Sequence, residues 1–443
     1  MPPPAIRSFD RARARELMGS DTGKAAGMAA AVMGGNVLAL AFTVVFARRL
    51  GQTGYGSLSA LISTFIILMV LGSAVQTTVA REVSAAFASG DPAAGAGVRR
   101  WLRRLAVALV GVVVVSVLAR HVLATLIGVG DVPWGAAATL PSGCLWLIVS
   151  IERGALQGFH RYRLVAGSWV FEQVGRLVFA LILVAAGTHV TGAFLGTPLA
   201  LAFISLVLLI PLRHLLPHAE PHEHPLGELL KRAAVPVAAL ALIAWMQDGN
   251  VIVVKHIATG KQAGSYAAAA VAAKAIMWVA VGLGLFLVPE AARRTRLRED
   301  VSGILARTLA LIVAVAVPMV LVYAVAAKPL LRIAFGHKFL SGAGALPWLG
   351  LALTLLACAY LAVQYHLALH RSRFIAVLVV AAMAQPLVLV AIGAHLTPIA
   401  IGLLGLNGVL ATIMVVLAFR LAPAAARLEP EPEVPPALSG VEF

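Results

Sequence analysis

The chain has 443 residues, of which 60% are hydrophobic and 12% charged, against roughly 45–50% and 25% in ordinary soluble domains. A soluble protein of this length cannot hide so much apolar side chain, so the bilayer must be the solvent for most of it. The net charge of +16 would point to nucleic acid in a soluble chain, but here the placement of the cations accounts for it.

Residues 1–24 are polar and hold Arg7, Arg11, Arg13 and Arg15. The apolar run that follows is too long for a signal peptide and has no convincing cleavage site. The segment reads as a basic helix on anionic lipid or as a solvated tail. Twelve apolar runs come next, each near the length of about 20 residues that crosses a bilayer. They fall near 25–47, 57–80, 105–127, 134–151, 164–186, 192–212, 234–256, 264–288, 303–325, 345–366, 374–394 and 399–419. The expected fold is an all-α polytopic membrane protein with two six-helix lobes, 25–212 and 234–420, related by a pseudo-two-fold axis along the membrane normal. The linker 213–233 joins the lobes, and 421–443 is an acidic, proline-rich tail.

The two lobes look like a duplication. His160-Arg161-Tyr162-Arg163-Leu164 returns 210 residues later as His370-Arg371-Ser372-Arg373-Phe374. The same offset relates Gly54 to Gly264, each just ahead of a tyrosine (Tyr55, Tyr266) that opens a long apolar run. Repeats of this kind build many secondary transporters, which bind cargo between the halves. Lys and Arg then set the orientation: with both termini cytoplasmic, inside segments hold 25 and outside segments 8, which the positive-inside rule demands. The location is the cytoplasmic (inner) membrane.

Much chemistry is missing. No phosphate-cradling Gly-x-x-x-x-Gly-Lys-Ser/Thr loop, no Gly-x-Ser-x-Gly elbow and no Asp-x-Asp pair occur, and no loop is long enough for a catalytic domain. The chain reads as a carrier, not an enzyme, with no cofactor. Cys144 and Cys358 lie in apolar runs and read as small buried hydrophobes. His218, His222 and His224 crowd the linker, but the prolines beside them favour a solvated loop over a zinc site.

Ionisable side chains inside spans are costly and are functional candidates by default. Glu172 and Arg176 share one face of the fifth span at i, i+4, an order that favours a pair. Asp248 lies in the seventh span beside Gln247 and Asn250, and Lys274 lies in the eighth at similar depth. Each pair is either a structural salt bridge or the wall of a cavity where Lys274 and Arg176 attract an anion and Asp248 exchanges a proton or sodium ion. Arg48 and Arg49 end the first span; they snorkel to the surface, or one of them, assigned here to Arg49, faces the mouth of the cleft. Gln76, Gln157, Gln364 and Gln385 read as polar glue between helices.

The stretch Ala47-Arg48-Arg49-Leu50-Gly51-Gln52-Thr53-Gly54-Tyr55-Gly56 resembles the turn after the first span of bacterial polysaccharide flippases, in the multidrug/oligosaccharidyl-lipid/polysaccharide exporter superfamily. Asp248 through Ala268, Gly154-Ala155-Leu156-Gln157-Gly158, and Phe335-Gly336 with Phe339 resemble further turns in order, so the likeness covers nearly all of 25–420. It implies a V-shaped bundle with a central cavity that flips a lipid-diphosphate-linked oligosaccharide or polysaccharide precursor by alternating access. Membrane lipids, a coupling proton or sodium ion, and glycan polymerases or glycosyltransferases are the partners it implies; nucleic acid is not among them. The Arg-x-Leu-Gly-x-x-Arg-Asp motif of the peptidoglycan-precursor flippases is absent, and those have fourteen spans. A cation-coupled drug antiporter of the same superfamily is the alternative, disfavoured because the deep charges here are balanced in sign. A membrane-embedded glycosyltransferase or a non-transporting scaffold is further off.

Overall fold

The computed structural model describes residues 21–89, 93–216, 226–296, 302–369 and 371–425. The basic segment before residue 21, the His218–His222–His224 loop and the acidic tail after 425 lie outside the described residues. Every regular element described is helical. The first two spans form one element, Asp21–Ser89, interrupted at Gly51, whose φ of 68° is non-helical. A straight helix of that length would be roughly 100 Å long, over three times the roughly 30 Å hydrocarbon core, so the chain must turn. Glycine is the residue that takes a left-handed φ without strain.

The third span is Ala93–Leu118 with a short extension, Arg120–Ile127. Pro133–Ala137 leads into the fourth, Thr139–Gly158, and the fifth and sixth are Tyr162–Ala185 and His189–Leu215. The seventh is Leu226–Ile257, and the eighth is broken into Gly260–Ala273 and Ala275–Arg296. Ser302–Ala334 is the ninth; a 3-10 turn, His337–Gly342, leads to the tenth, Leu346–Ala368. Ile375–Ile392 and Leu396–Ala425 complete the set. Eleven helices are long and apolar enough to cross a membrane among the described residues, and the longest of them holds two spans across Gly51. The twelve spans expected from the sequence are therefore present.

Two hydrophobic cores separate the lobes. One collects buried side chains from Phe42 to Leu216, the other from Ala239 to Ala418. Ala47 and Tyr55 of the first lobe belong to the second core, which marks where the lobes join. The outer faces stay apolar, as lipid-facing surfaces should: Val107 and Val110 of the third span are 69% and 65% exposed.

The fourth span differs from its sequence reading. It does not stop at 151 but runs to Gly158, which takes Arg153 out of the loop expected after the span and buries both Glu152 and Arg153 completely. Gly154 and Gly158 make this extension possible. A Cβ at Gly154 would lie 2.5 Å from the Gln76 carbonyl oxygen, and one at Gly158 would lie 2.6 Å from Val83 Cβ. Small residues four apart let two membrane helices approach backbone to backbone. Gln76 Nε2 donates to Gln157 Oε1 across the same contact at 3.3 Å, the helix glue expected of these glutamines.

Candidate functional site

The two duplicated glycine–tyrosine turns meet each other at one end of the bundle. Gly56 of the second span and Gly264 of the eighth face so closely that a Cβ on Gly56 would lie 3.0 Å from the Gly264 nitrogen. A Cβ on Gly264 would fall 2.0 Å from the Gln52 carbonyl oxygen. Gln52 Nε2 donates to Ser265 Oγ at 2.8 Å, and Ser341 Oγ donates to the same hydroxyl at 2.8 Å. The Tyr55 ring packs on Phe335 and Phe339, centroids 5.9 and 5.7 Å away. His256 Nε2 reaches the Thr125 carbonyl at 2.9 Å. Together these contacts seal the lobes at the end away from the termini.

Of the two arginines of this turn, Arg48 crosses the seam. Its Nε donates to the Ala334 carbonyl at 3.1 Å, and its terminal nitrogen donates to the carbonyl of Ile333. Arg49, the residue expected at the mouth of the cleft, is exposed and makes no hydrogen bond of its own among the described residues.

Below the seal lies a charged cluster. Asp248 is fully buried and accepts from Lys274 Nζ at 2.5 Å. The same carboxylate oxygen accepts from Ser63 Oγ at 3.1 Å, and the other accepts from Gln247 Nε2 at 3.2 Å. Ser63 belongs to the second span, so the pair is tied across the seam to the opposite lobe. Lys274 sits where the eighth span breaks; its carbonyl accepts from both Met277 and Trp278. Counted along their helices at about 1.5 Å per residue, Asp248 and Lys274 lie roughly 14 and 21 Å from the sealed ends of their spans. Asn250 points into its own lobe: Nδ2 donates to the carbonyls of Met246 and Gln247, and Oδ1 accepts from Tyr266 at 3.0 Å. Asn250, Lys274 and Asn407 line a small cavity of about 10 Å³, near the minimum of about 10–15 Å³ that holds one water.

A second charged cluster lies inside the first lobe, and here the pairing differs from the expected one. Glu172 does not form an ion pair with Arg176. It accepts from Arg153 at 2.7 Å, and Arg153 also donates to the Ser168 hydroxyl and carbonyl at 2.8 and 3.1 Å. The Arg153 guanidinium lies 4.4 Å from the Trp169 ring centroid and 5.6 Å from that of Trp146. The aromatic faces and the carboxylate together offset the desolvation of the cation. Arg176 lies over Phe42 of the first span at 4.2 Å, and its buried Nε has no hydrogen-bond partner among the described residues. In the sequence Arg153 reads as a charge that ends the fourth span; the glycines four residues apart, Gly154 and Gly158, are the signal that the helix continues.

Arg153→Ala is expected to cost about 3–5 kcal/mol, because it leaves Glu172 buried without a counter-charge. Arg153→Met combined with Glu172→Leu should recover most of that loss. Thermal unfolding of both proteins in detergent measures the difference.

No family model and no curated protein matches this sequence. Solved structures match its architecture. An inward-facing multidrug resistance transporter of the MATE family, in the MOP superfamily, is 12% identical with a TM-score of 0.77 over 89% of this chain and 96% of that one. The fold is the one these transporter structures share. Lipid II flippase MurJ in an inward closed conformation is 13% identical, with a TM-score of 0.71 over 89% of this chain and 87% of that one. An outward-facing MATE transporter is 15% identical and covers 94% of this chain and 99% of its own, but its TM-score is 0.65.

Proposed function

We propose that the protein is a transporter of the cytoplasmic membrane, with both termini inside, that flips a lipid-diphosphate-linked oligosaccharide or polysaccharide precursor by alternating access. In this reading the protein is not an enzyme and uses no cofactor. The observation that carries it is the Lys274–Asp248 pair, buried at the seam and hydrogen-bonded to the opposite lobe through Ser63. Any motion that opens the seal must disturb this cluster, and an anionic cargo that engages Lys274 competes with Asp248 for the same ammonium. Arg176, with a donor left over, is a second cation within the first lobe; guanidinium binds phosphate in a fork and stays charged at depth.

Asp248, freed from Lys274, takes up the coupling proton or sodium ion. The orientation rests on the excess of cytoplasmic cations, which survives the loss of Arg153 to the fourth span. Glycan polymerases or glycosyltransferases supply and consume such a cargo and are the expected partners. The second reading, an ion-coupled antiporter of small molecules, is favoured by one observation: a carboxylate at the seam, Asp248, whose protonation alone would release the latch.

Vesicles carrying the purified protein and a fluorescent lipid-diphosphate oligosaccharide test the reading. Arg176→Ala is expected to slow flipping at least tenfold while the protein still inserts and keeps its unfolding temperature. Undiminished flipping would remove Arg176 from the path, and efflux of a cationic dye in place of the glycan lipid would favour the antiporter.

A further inference from the structure

The first lobe contains a pocket of about 750 Å³ that takes no part in the seam, formed between the third, fourth and sixth spans. It shares no lining residue with the Asp248 cluster. Its walls are apolar, built by Leu102 and Leu109 from one side and Leu206 and Leu209 from the other. Arg99, Arg103 and Arg213 stand at its mouth, at the end of the bundle that carries the termini. Arg99 is fixed there by a 3.0 Å hydrogen bond to the Leu216 carbonyl, while Arg103 and Arg213 are exposed.

Partway in is Glu152. Its side chain is fully buried, one oxygen accepts from Ser205 Oγ at 2.8 Å, and the other, Oε2, has no partner among the described residues. A buried carboxylate oxygen left unpaired is costly, and the pocket is the space from which a partner can come. Ser205 and Arg213 are eight residues apart on one helix, so the acceptor lies roughly 12 Å along the axis from the mouth, less the reach of an arginine side chain.

We infer that this pocket binds a single-chain anionic phospholipid with a free hydroxyl beside its chain, a monoacyl glycerophosphate. The phosphate meets the arginines at the mouth, the hydroxyl donates to Glu152, and the chain runs along the leucine walls. Pockets of about 300–1,000 Å³ enclose ligands of drug size, which suits one chain and not two. The inference stands apart from the glycan-lipid reading: it concerns a site inside one lobe and holds whatever crosses at the seam.

The test uses the full chain in phosphatidylcholine nanodiscs with 1-palmitoyl lysophosphatidic acid as the probe, read by native mass spectrometry. One molecule per protein is expected, with at least tenfold preference over lysophosphatidylcholine. Arg103→Gln with Arg213→Gln should reduce binding about tenfold, and Leu209→Trp, which fills the apolar wall and leaves every charge in place, should abolish it. The wild type should prefer the probe to its 2-O-methyl ether, and Glu152→Leu should erase that preference. Arg161→Gln with Arg163→Gln, at the same end but outside the pocket, should change nothing. Binding that survives Leu209→Trp, or that falls equally in the Arg161/Arg163 variant, would show only surface attraction and overturn the site. A photoreactive chain analogue on the wild type needs no variant to fold: labelling of the third and sixth spans supports the inference, and labelling confined to other spans refutes it.

Discussion

Gly264→Ala is expected to hold the two lobes apart at their sealed end. The new methyl would sit 2.0 Å from the Gln52 carbonyl oxygen and 2.6 Å from its carbon, and both are backbone atoms that cannot swing aside as a side-chain tip can. Overpacking of this kind costs about 1–3 kcal/mol. The cost falls on the sealed state, because the open state separates the two turns. Each 1.4 kcal/mol is tenfold in an equilibrium, so the population should move toward the unsealed state by roughly five- to a hundredfold. Spin labels at positions 126 and 333, both exposed, one in each lobe near the seal, read the shift, after Cys144 and Cys358, the two free cysteines, are replaced by serine or alanine. Gly54→Ala is the control. Its methyl would meet the Leu50 Cβ at 3.0 Å and the Val190 Cγ2 at 3.3 Å, which are side chains of its own lobe, so the equilibrium should barely move. An unchanged label distance in Gly264→Ala would mean that the seal is not set by this contact.

This contrast also shows what the sequence could and could not reveal. The apolar runs are legible because lipid forces nearly every spanning side chain to be apolar, whatever the tertiary packing. The repeat is legible because the same residues recur at one fixed offset, 160–164 at 370–374 and Gly54 at Gly264. Gly54 and Gly264 pointed to the right turns, although the contact itself runs from Gly264 to Gln52 and Gly56. Asp248 and Lys274 were legible for a related reason, since a lone charge in a span needs a partner at its own depth, and each was the nearest candidate for the other. Partners from distant helices were not legible. Ser63 looks like any small polar residue in a span, and Arg153 looked like the end of one. Spacing on a single helix suggested Glu172 with Arg176, but Arg153 reaches Glu172 from the fourth span with two tryptophans to cover it. A periodic pattern carries no information about which faces of different helices meet.

The largest effect on stability and function together is expected at Lys274. Lys274→Met removes the cation that holds Asp248 and leaves a fully buried carboxylate with Ser63 and Gln247 as its donors. Breaking a buried pair from one side costs about 3–5 kcal/mol, whereas replacing both partners with apolar residues of similar size is often neutral. Lys274→Met with Asp248→Leu should therefore unfold close to the wild type, within about 1.5 kcal/mol, although Lys274→Met alone does not. Stability and transport then separate. If the pair serves only to hold the seventh and eighth spans together, the double variant regains flipping along with its stability. If the ammonium meets the cargo and the carboxylate takes the coupling ion, the double variant is stable and inert. Asp248→Asn keeps an oxygen to accept from Ser63 but cannot carry the ion, and should lose the gradient dependence of transport while retaining equilibrium exchange. A stable double variant with wild-type flipping would move the cargo path away from this cluster and leave Arg176 as the remaining cation of the proposed route.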